Sequence, residues 1–240
     1  MGVGLCGGPS HGADGRAPVP ALAGTAGTSG LAADGFLFEG GTALRIIWRS
    51  PRFSEDLDFT GLETSIRNIE STLERTLVGV EREGIRVKID EAKKTSGGYF
   101  SILQFEGSGN RGEIQLEVSL RRPTEKAKGV TALISSDFLP PFTLIHLGEK
   151  ILVAEKVNAI LTRAKARDFY DLYFILRSRL GFSEVFMKDK TLKRKLFKAI
   201  EGQKLNLKNE LKRFLPASQY GLLKNFRTIL RAEIERSLPG

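Results

Sequence analysis

Hydrophobic and polar positions fall into a regular pattern from Phe36 onward. Phe36-Leu37-Phe38 is a short apolar run closed by Gly40-Gly41, which predicts a strand. Leu44, Ile47 and Trp48 then share one side of a helix over Thr42–Trp48, stopped by Pro51. Ser54–Thr60 alternates, with Leu57 and Phe59 set against Asp56 and Asp58, and predicts a second strand. Ile66, Ile69, Leu73, Leu77 and Val80 keep a helical period. Ile85–Ile89 and Tyr99–Phe105 alternate as strands, with Ser96-Gly97-Gly98 as the turn between them. The cleanest strand is Ile114–Leu120: Ile114, Leu116, Val118 and Leu120 on one face, Gln115, Glu117 and Ser119 on the other. Region 35–122 therefore reads as a mixed α+β unit of about five strands. After Pro140-Pro141 the pattern is helical nearly to the end. It predicts helices over Ile151–Ala164 and Asp168–Leu180, then basic helices in 191–213 and 219–237, separated around Pro216.

Residues 1–34 have no such pattern. They hold nine Gly, seven Ala and three Pro, and no aromatic side chain. Such a stretch buries too little apolar surface to offset its ordering entropy and is expected to be a flexible tail. It has neither a basic n-region nor a continuous apolar h-region, so it does not read as a secretory signal. The expected organisation is a tail over 1–34, a core over 35–140 and a basic helical region over 141–240.

Charge sharpens that division. Of 240 residues, 37 are Lys or Arg and 28 Asp or Glu, for a net charge of +9. Residues 1–34 and 35–140 each carry a net −1, whereas 141–240 carries +11. The basic half suggests an anionic partner, unless its lysines serve only to solvate the helices. No apolar run approaches the roughly 20 residues of a membrane span, so no membrane partner is expected. The single cysteine, Cys6, excludes an intramolecular disulfide and a cysteine-cluster zinc site. Two histidines, His11 and His146, leave little material for a histidine triad or a histidine metal site. The expected compartment is a reducing cytoplasm, and the chemistry left open is that of acidic side chains.

Three features carry such chemistry. Gly40-Gly41-Thr42 lies between a strand and a helix, where bare backbone and free helix N–H groups suit a phosphate; an ordinary tight turn is the plainer reading. Asp56-Leu57-Asp58 puts two carboxylates on one strand face, about 6–7 Å apart at the backbone. Two carboxylates so placed suit Mg²⁺, and Asp is disfavoured in strands without a reason. Glu117 faces away from the apolar side of its strand and would complete a three-carboxylate, two-metal site for two Mg²⁺ if that strand neighbours Ser54–Thr60. Glu113 points the same way and competes for the part.

At these residues the sequence resembles the AbiEii-type nucleotidyltransferase toxins. Phe38-x-Gly40-Gly41-Thr42-Ala43-Leu44-Arg45 and Arg52-Phe53-Ser54-Glu55-Asp56-Leu57-Asp58-Phe59 look like the first two motifs of that family. Ala154-Glu155-Lys156-Val157-Asn158-Ala159 and Arg167-Asp168-Phe169-Tyr170-Asp171-Leu172-Tyr173 look like the third and fourth. The resemblance spans roughly 36–180 and departs from the family at the front, where a Gly/Ala-rich stretch stands in place of helical sequence. It implies a polymerase-β-like nucleotidyltransferase core, a mixed sheet with flanking helices, followed by a C-terminal helical region. The implied activity is NTP- and Mg²⁺-dependent nucleotide transfer to RNA, for related toxins the acceptor end of tRNA, with a separately encoded cognate antitoxin. Carried over by motif, the catalytic set is Asp56, Asp58, Glu117, Lys156 and Asp168, with Asp56, Asp58 and Glu117 holding metal. Nucleotide binding falls to Gly40, Gly41, Thr42, Arg45, Arg52, Ser54, Lys156 and Asp171. Several of these have plainer roles available. Lys156 can snorkel to water, Asp168 and Asp171 can cap a helix with a salt bridge to Arg167, and Arg45 and Arg52 can merely neutralise acids. The competing functions are a metal-dependent nuclease and a non-catalytic basic module that binds RNA or a partner.

Overall fold

The structure is a computed structural model that describes residues 35–107, 110–120, 128–135, 140–181, 186, 189–202 and 206–238. The tail expected over 1–34 lies outside the described residues. One mixed sheet takes the strands β1 (Phe36–Glu39), β2 (Asp56–Gly61), β3 (Arg86–Thr95), β4 (Gly98–Gly107), β5 (Asn110–Ser119), β6 (Gly129–Ile134) and β7 (Phe142–Leu147) in the order β3-β4-β5-β2-β1-β7-β6. The pairs β2/β5 and β1/β7 are parallel and the others antiparallel. Phe36, Leu37 and Phe38 are all buried, as a central strand covered on both faces requires.

The helices of the first half follow their caps and breakers. Helix α1 (Gly40–Trp48) ends at Arg49, which takes the left-handed conformation at φ 60°, two residues before Pro51. Helix α2 (Ile66–Arg82) opens on Ser65, whose hydroxyl accepts from the Asn68 N–H at 3.2 Å, and turns Ile69, Leu73 and Val80 inward. The predicted turn at Ser96-Gly97 closes the β3–β4 hairpin, with Thr95 opposite Gly98.

Two elements correct the sequence reading. Phe142–Leu147, expected to open the helical region, is β7, paired in parallel with β1 near the middle of the sheet. Gly129–Ile134, for which no element was expected, is the edge strand β6. The C-terminal helical region therefore starts at Glu149, with α3 (Glu149–Thr162) and α4 (Ala166–Ser178). The basic stretch 191–213 is two helices, α5 (Leu192–Glu201) and α6 (Leu207–Lys212). The last expected helix is likewise split into α7 (Tyr220–Leu223) and α8 (Phe226–Ser237).

Helix α4 is the hub of this second half. Phe169, Tyr170, Leu172, Ile175 and Leu176 are all buried, and Phe226 of α8 stacks on Tyr170 with ring centres 6.0 Å apart. The Phe53 N–H donates to the Phe214 carbonyl at 2.7 Å, tying the loop before β2 to the C-terminal helices. That tie holds the acidic strand against the basic half of the chain.

Candidate active site

Strand register assembles the carboxylates. Parallel pairing of β2 with β5 sets Asp58 opposite Glu117, and antiparallel pairing with β1 sets Glu39 opposite Asp58. Directly paired residues share a sheet face, so Glu39, Asp58 and Glu117 form a row, with Asp56 on the same face as Asp58. Leu57, pointing the other way, is buried. Asp56, Asp58 and Glu117 line one polar pocket of about 90 Å³. Glu113 lies elsewhere, beside Arg86, Gln104 and Arg111.

The glycine turn is shaped by the site's own side chains. Gly40 has φ +79°, and a Cβ there would fall 1.9 Å from Asp58 Oδ2. A Cβ on Gly41 would fall 2.1 Å from Arg52 Nη2. Both glycines are thus needed before any ligand arrives: one for the Asp58 carboxylate, the other for the Arg52 guanidinium. Thr42 is fully buried, and its hydroxyl donates to the Asp56 backbone carbonyl, which docks α1 onto β2. Arg45 stacks its guanidinium 4.3 Å from the centre of the Phe53 ring. The structure therefore brings Gly41 and Ser54 to the pocket, but neither Thr42 nor Arg45.

The opposite wall is cationic: Arg52, Lys156, Arg163 and Arg167. Arg52, 2% exposed, grips Asp171 with Nε–Oδ1 at 2.6 Å and Nη2–Oδ2 at 3.1 Å. Lys156 Nζ reaches the same carboxylate at 2.9 Å, so its ammonium rests on a partner and is neither snorkelled to water nor isolated. Burial works against the charge on Asp171, yet these two cations hold its carboxyl below the usual carboxylate range. Asp168 is also fully buried; it accepts from the Lys165 N–H at 3.0 Å, capping α4. Its ion pair is with Arg163, at 2.7 and 3.0 Å, and not with Arg167 as its sequence neighbourhood suggested. Arg167 instead reaches across to Asp56 Oδ2 at 3.2 Å.

The sequence reading assigned no role to Arg163, Glu39 or Glu155, although Glu155 falls within the third motif. Arg163 and Asp168 lie on either side of a helix break at Ala164, where φ is 47°, so no helical spacing relates them. Glu39 accepts from the Thr60 hydroxyl at 2.8 Å. Burial, and then the neighbouring charge of Glu155, push Glu39 up to about 8. Within the row it therefore holds its proton more tightly than an exposed carboxyl does, which lessens the negative charge the site carries.

Asp58 is pushed up to about 6, chiefly by burial, with Asp56 and Glu117 adding to the rise and Lys156 opposing it. Burial is the main cause of that rise, and the charges of Lys156 and Arg167 work against it. The donors are all carboxylate oxygens, the set a hard divalent cation takes, and in that respect they fit Mg²⁺. Among the described residues, no three His, Cys, Asp or Glu side chains converge as a ready-made metal cluster.

This pattern of paired strand carboxylates under a glycine turn, facing basic helices, can be set beside known proteins. The family model for the nucleotidyl transferase AbiEii toxin of type IV toxin–antitoxin systems matches residues 28–233. The chain belongs to the AbiEii family. Among curated sequences none matches it. Its fold is similar to JHP933 from Helicobacter pylori, with TM-score 0.55, 19% identity and coverage of 90% of this chain and 92% of that one. It is also similar to MenT4, a nucleotidyltransferase toxin from Mycobacterium tuberculosis H37Rv, with TM-score 0.55, 17% identity and coverage of 89% and 84%. A putative nucleotidyltransferase from H. pylori has TM-score 0.50 at 18% identity, over 92% and 96% of the two chains.

As an AbiEii protein the chain is a nucleotidyltransferase toxin, and membership implies an NTP substrate and a cognate antitoxin. The α+β fold is that expected: a mixed sheet with flanking helices. No helix of the described residues is long and apolar enough to cross a membrane.

Proposed function

We propose that this AbiEii toxin transfers a nucleotide from an NTP to an RNA acceptor, the 3′ end of a tRNA. The observation that carries the reading is the pocket where Asp56, Asp58 and Glu117 face Arg52, Lys156, Arg163 and Arg167. Phosphoryl-type transfer needs little covalent chemistry from the protein; it needs positioned charge. The acceptor hydroxyl attacks the α-phosphorus, a new P–O bond forms, and the bond to the β-phosphate breaks as pyrophosphate departs with the electron pair. Glu117, the most exposed of the three acids, is placed to receive the hydroxyl proton. Asp56, Asp58 and Glu117 would hold Mg²⁺, which supplies Lewis-acid stabilisation of the charge developing on the phosphate oxygens.

The basic wall takes the triphosphate. Lys156 and Arg167 are the cations best placed to transfer their charge to it, since each holds a carboxylate through a single contact, at 2.9 and 3.2 Å. Arg52 and Arg163 are committed bidentately to Asp171 and Asp168 and brace that wall. Asp168 and Asp171 accordingly act by positioning the cations.

The deciding experiment incubates the purified protein with total tRNA, Mg²⁺ and each α-labelled NTP in turn. Label on the RNA is expected with at least one NTP; shortened RNA without label would identify a nuclease instead. RNA bound without either outcome would identify a binding module.

The +11 half of the chain is proposed to hold the RNA backbone. On α5, Arg194, Lys195 and Lys198 are exposed, while Lys193 is half-buried near Glu235. Replacing Lys193, Arg194, Lys195 and Lys198 with Ala is expected to weaken tRNA binding. It should also flatten its log–log salt dependence by roughly 0.7–0.9 for each phosphate no longer neutralised. Affinity for NTP, measured alongside, is expected to stay at the parental value. An unchanged salt slope would make these side chains a solvated face.

A further inference from the structure

The row of directly paired residues that carries the carboxylates continues past Glu117. Phe100 of β4 stands opposite Glu117, and Lys93 of β3 stands opposite Phe100. Across five strands one sheet face therefore reads Lys93, Phe100, Glu117, Asp58, Glu39. Adjacent strands are about 4.8 Å apart, which puts the Phe100 backbone roughly 10 Å from that of Asp58. On the other face of β4, Tyr99 and Leu103 are buried, with Glu70 and Glu74 of α2 near Tyr99. Phe100 is only half-buried and looks into a cleft of about 530 Å³. Lys93 Nζ lies 5.0 Å from the centre of the Phe100 ring and 2.5 Å from Glu91 Oε1, with more than half of its side chain exposed.

This cleft and the small polar pocket meet at Asp58 and Glu117, which line both. Arg52, Lys156, Arg163 and Arg167 line the polar pocket and not the cleft. In transfer at phosphorus, the attacking oxygen and the leaving group lie on opposite sides of the phosphorus atom. A triphosphate whose leaving end rests among the four cations thus leaves the Phe100 side for the attacking hydroxyl. A half-buried aromatic ring lining a cleft, with a cation beside it, suits an unpaired base and a single phosphodiester, as in proteins that hold single-stranded nucleic acid.

We propose that Phe100 and Lys93 form the acceptor platform: the unpaired 3′-terminal nucleoside of the RNA stacks on the Phe100 ring, and Lys93 meets the phosphate on its 5′ side. The assignment rests on the transfer to an RNA end proposed above, and its test separates the two.

Binding of a fluorescent single-stranded ribo-oligonucleotide and of total tRNA is measured by anisotropy, and binding of NTP by calorimetry, in the full chain. Phe100→Leu keeps apolar bulk but loses the π-face; it is expected to weaken oligonucleotide binding by roughly five- to a hundredfold. Phe100→Trp is expected to keep the parental affinity. Lys93→Ala is expected to lower the log–log salt slope for the oligonucleotide by about 0.7, the share of one single-strand phosphate. NTP affinity is expected to stay within about twofold of the parent in all three, because the triphosphate's cations are untouched. Should Phe100→Leu not fold, the other two variants decide: weakened affinity in Phe100→Trp together with an unchanged slope in Lys93→Ala overturns the platform. A folded Phe100→Leu that binds RNA as the parent does overturns it alone. So does one that loses NTP and keeps RNA, which would assign the ring to the base of the NTP. A parent protein that binds no RNA overturns the proposed acceptor class and the platform with it.

Discussion

Arg52→Ala is expected to destabilise the fold by about 3–5 kcal/mol, the cost of leaving a buried charge without its partner. Asp171 is 1% exposed and takes two hydrogen bonds from Arg52. With Arg52 gone, the ion pair left to it among the described residues is that with Lys156, a single contact at 2.9 Å. The same guanidinium donates from Nη1 to the Phe53 carbonyl at 2.9 Å, so the loop leading into β2 loses its anchor as well. Arg52→Lys is expected to recover little, because an ammonium cannot reproduce the planar fork that spans both carboxylate oxygens. Replacing both partners, Arg52→Met with Asp171→Leu, is expected to recover much of the loss, since an apolar pair leaves no orphaned charge. The pH dependence has a definite sign. Asp171 has a lowered folded-state pKa, so its stabilisation is present above the ordinary carboxylate pKa and is lost as pH falls through the lowered value. Urea unfolding at neutral pH measures the effect, and in strong acid the difference between parent and Arg52→Ala should shrink. A loss below about 1 kcal/mol at neutral pH would mean that water enters and solvates Asp171, and that the brace is not structural.

The parts of this site that are legible in the sequence are those governed by local period. Alternation alone puts Asp56 and Asp58 on one face with Leu57 on the other, and puts Glu117 on the polar side of its strand. Which strand lies beside β2 is not a local property. Glu113 and Glu117 have the same parity, and only the parallel register of β5 on β2 brings Glu117 opposite Asp58. The same limit hides β7. Phe142-Thr143-Leu144 follows two prolines and precedes a long helical pattern, and its strand state comes from pairing with β1, over a hundred positions earlier in the chain. Charged side chains are harder still. Arg45, Arg52, Arg163 and Arg167 are chemically equivalent in the sequence, yet one stacks on Phe53, one is buried on Asp171, one braces Asp168 and one reaches Asp56. Burial decides among them, and burial is a tertiary quantity. Thr42 shows the same thing in small: its place after two glycines suggests a phosphate ligand, while packing of α1 on β2 has already used its hydroxyl.

Asp58→Asn is expected to abolish nucleotide transfer, by about a thousandfold or more, while making the protein more stable at alkaline pH. The first effect follows from the removal of one of three carboxylates facing the cationic wall, where charge stabilisation is worth several kcal/mol. The second follows from where Asp58 sits. Burial and the charges of Asp56 and Glu117 push it up to about 6, from an ordinary 3.8. A carboxyl with a raised folded-state pKa keeps its proton in the native state at a pH where the unfolded chain has released it. Stability therefore falls as pH rises from about 4 to about 6, and the whole penalty is present above that. Asparagine carries no charge at any of these values and removes the penalty. It is also nearly isosteric, which matters because the Asp58 carboxylate fills the space that Gly40 leaves; alanine would open a void there and blur the result. The midpoint of thermal unfolding of Asp58→Asn should thus exceed that of the parent at pH 8 and meet it near pH 4. Transfer of labelled nucleotide should be absent throughout. An equal midpoint at pH 8 would show that the cations on α3 and α4 already offset the charge of Asp58. Near-parental transfer would remove Asp58 from the catalytic set. Obtaining both expected results would mark Asp58 as a residue kept for chemistry at the expense of the fold, the trade expected where charge is held ready for a reaction.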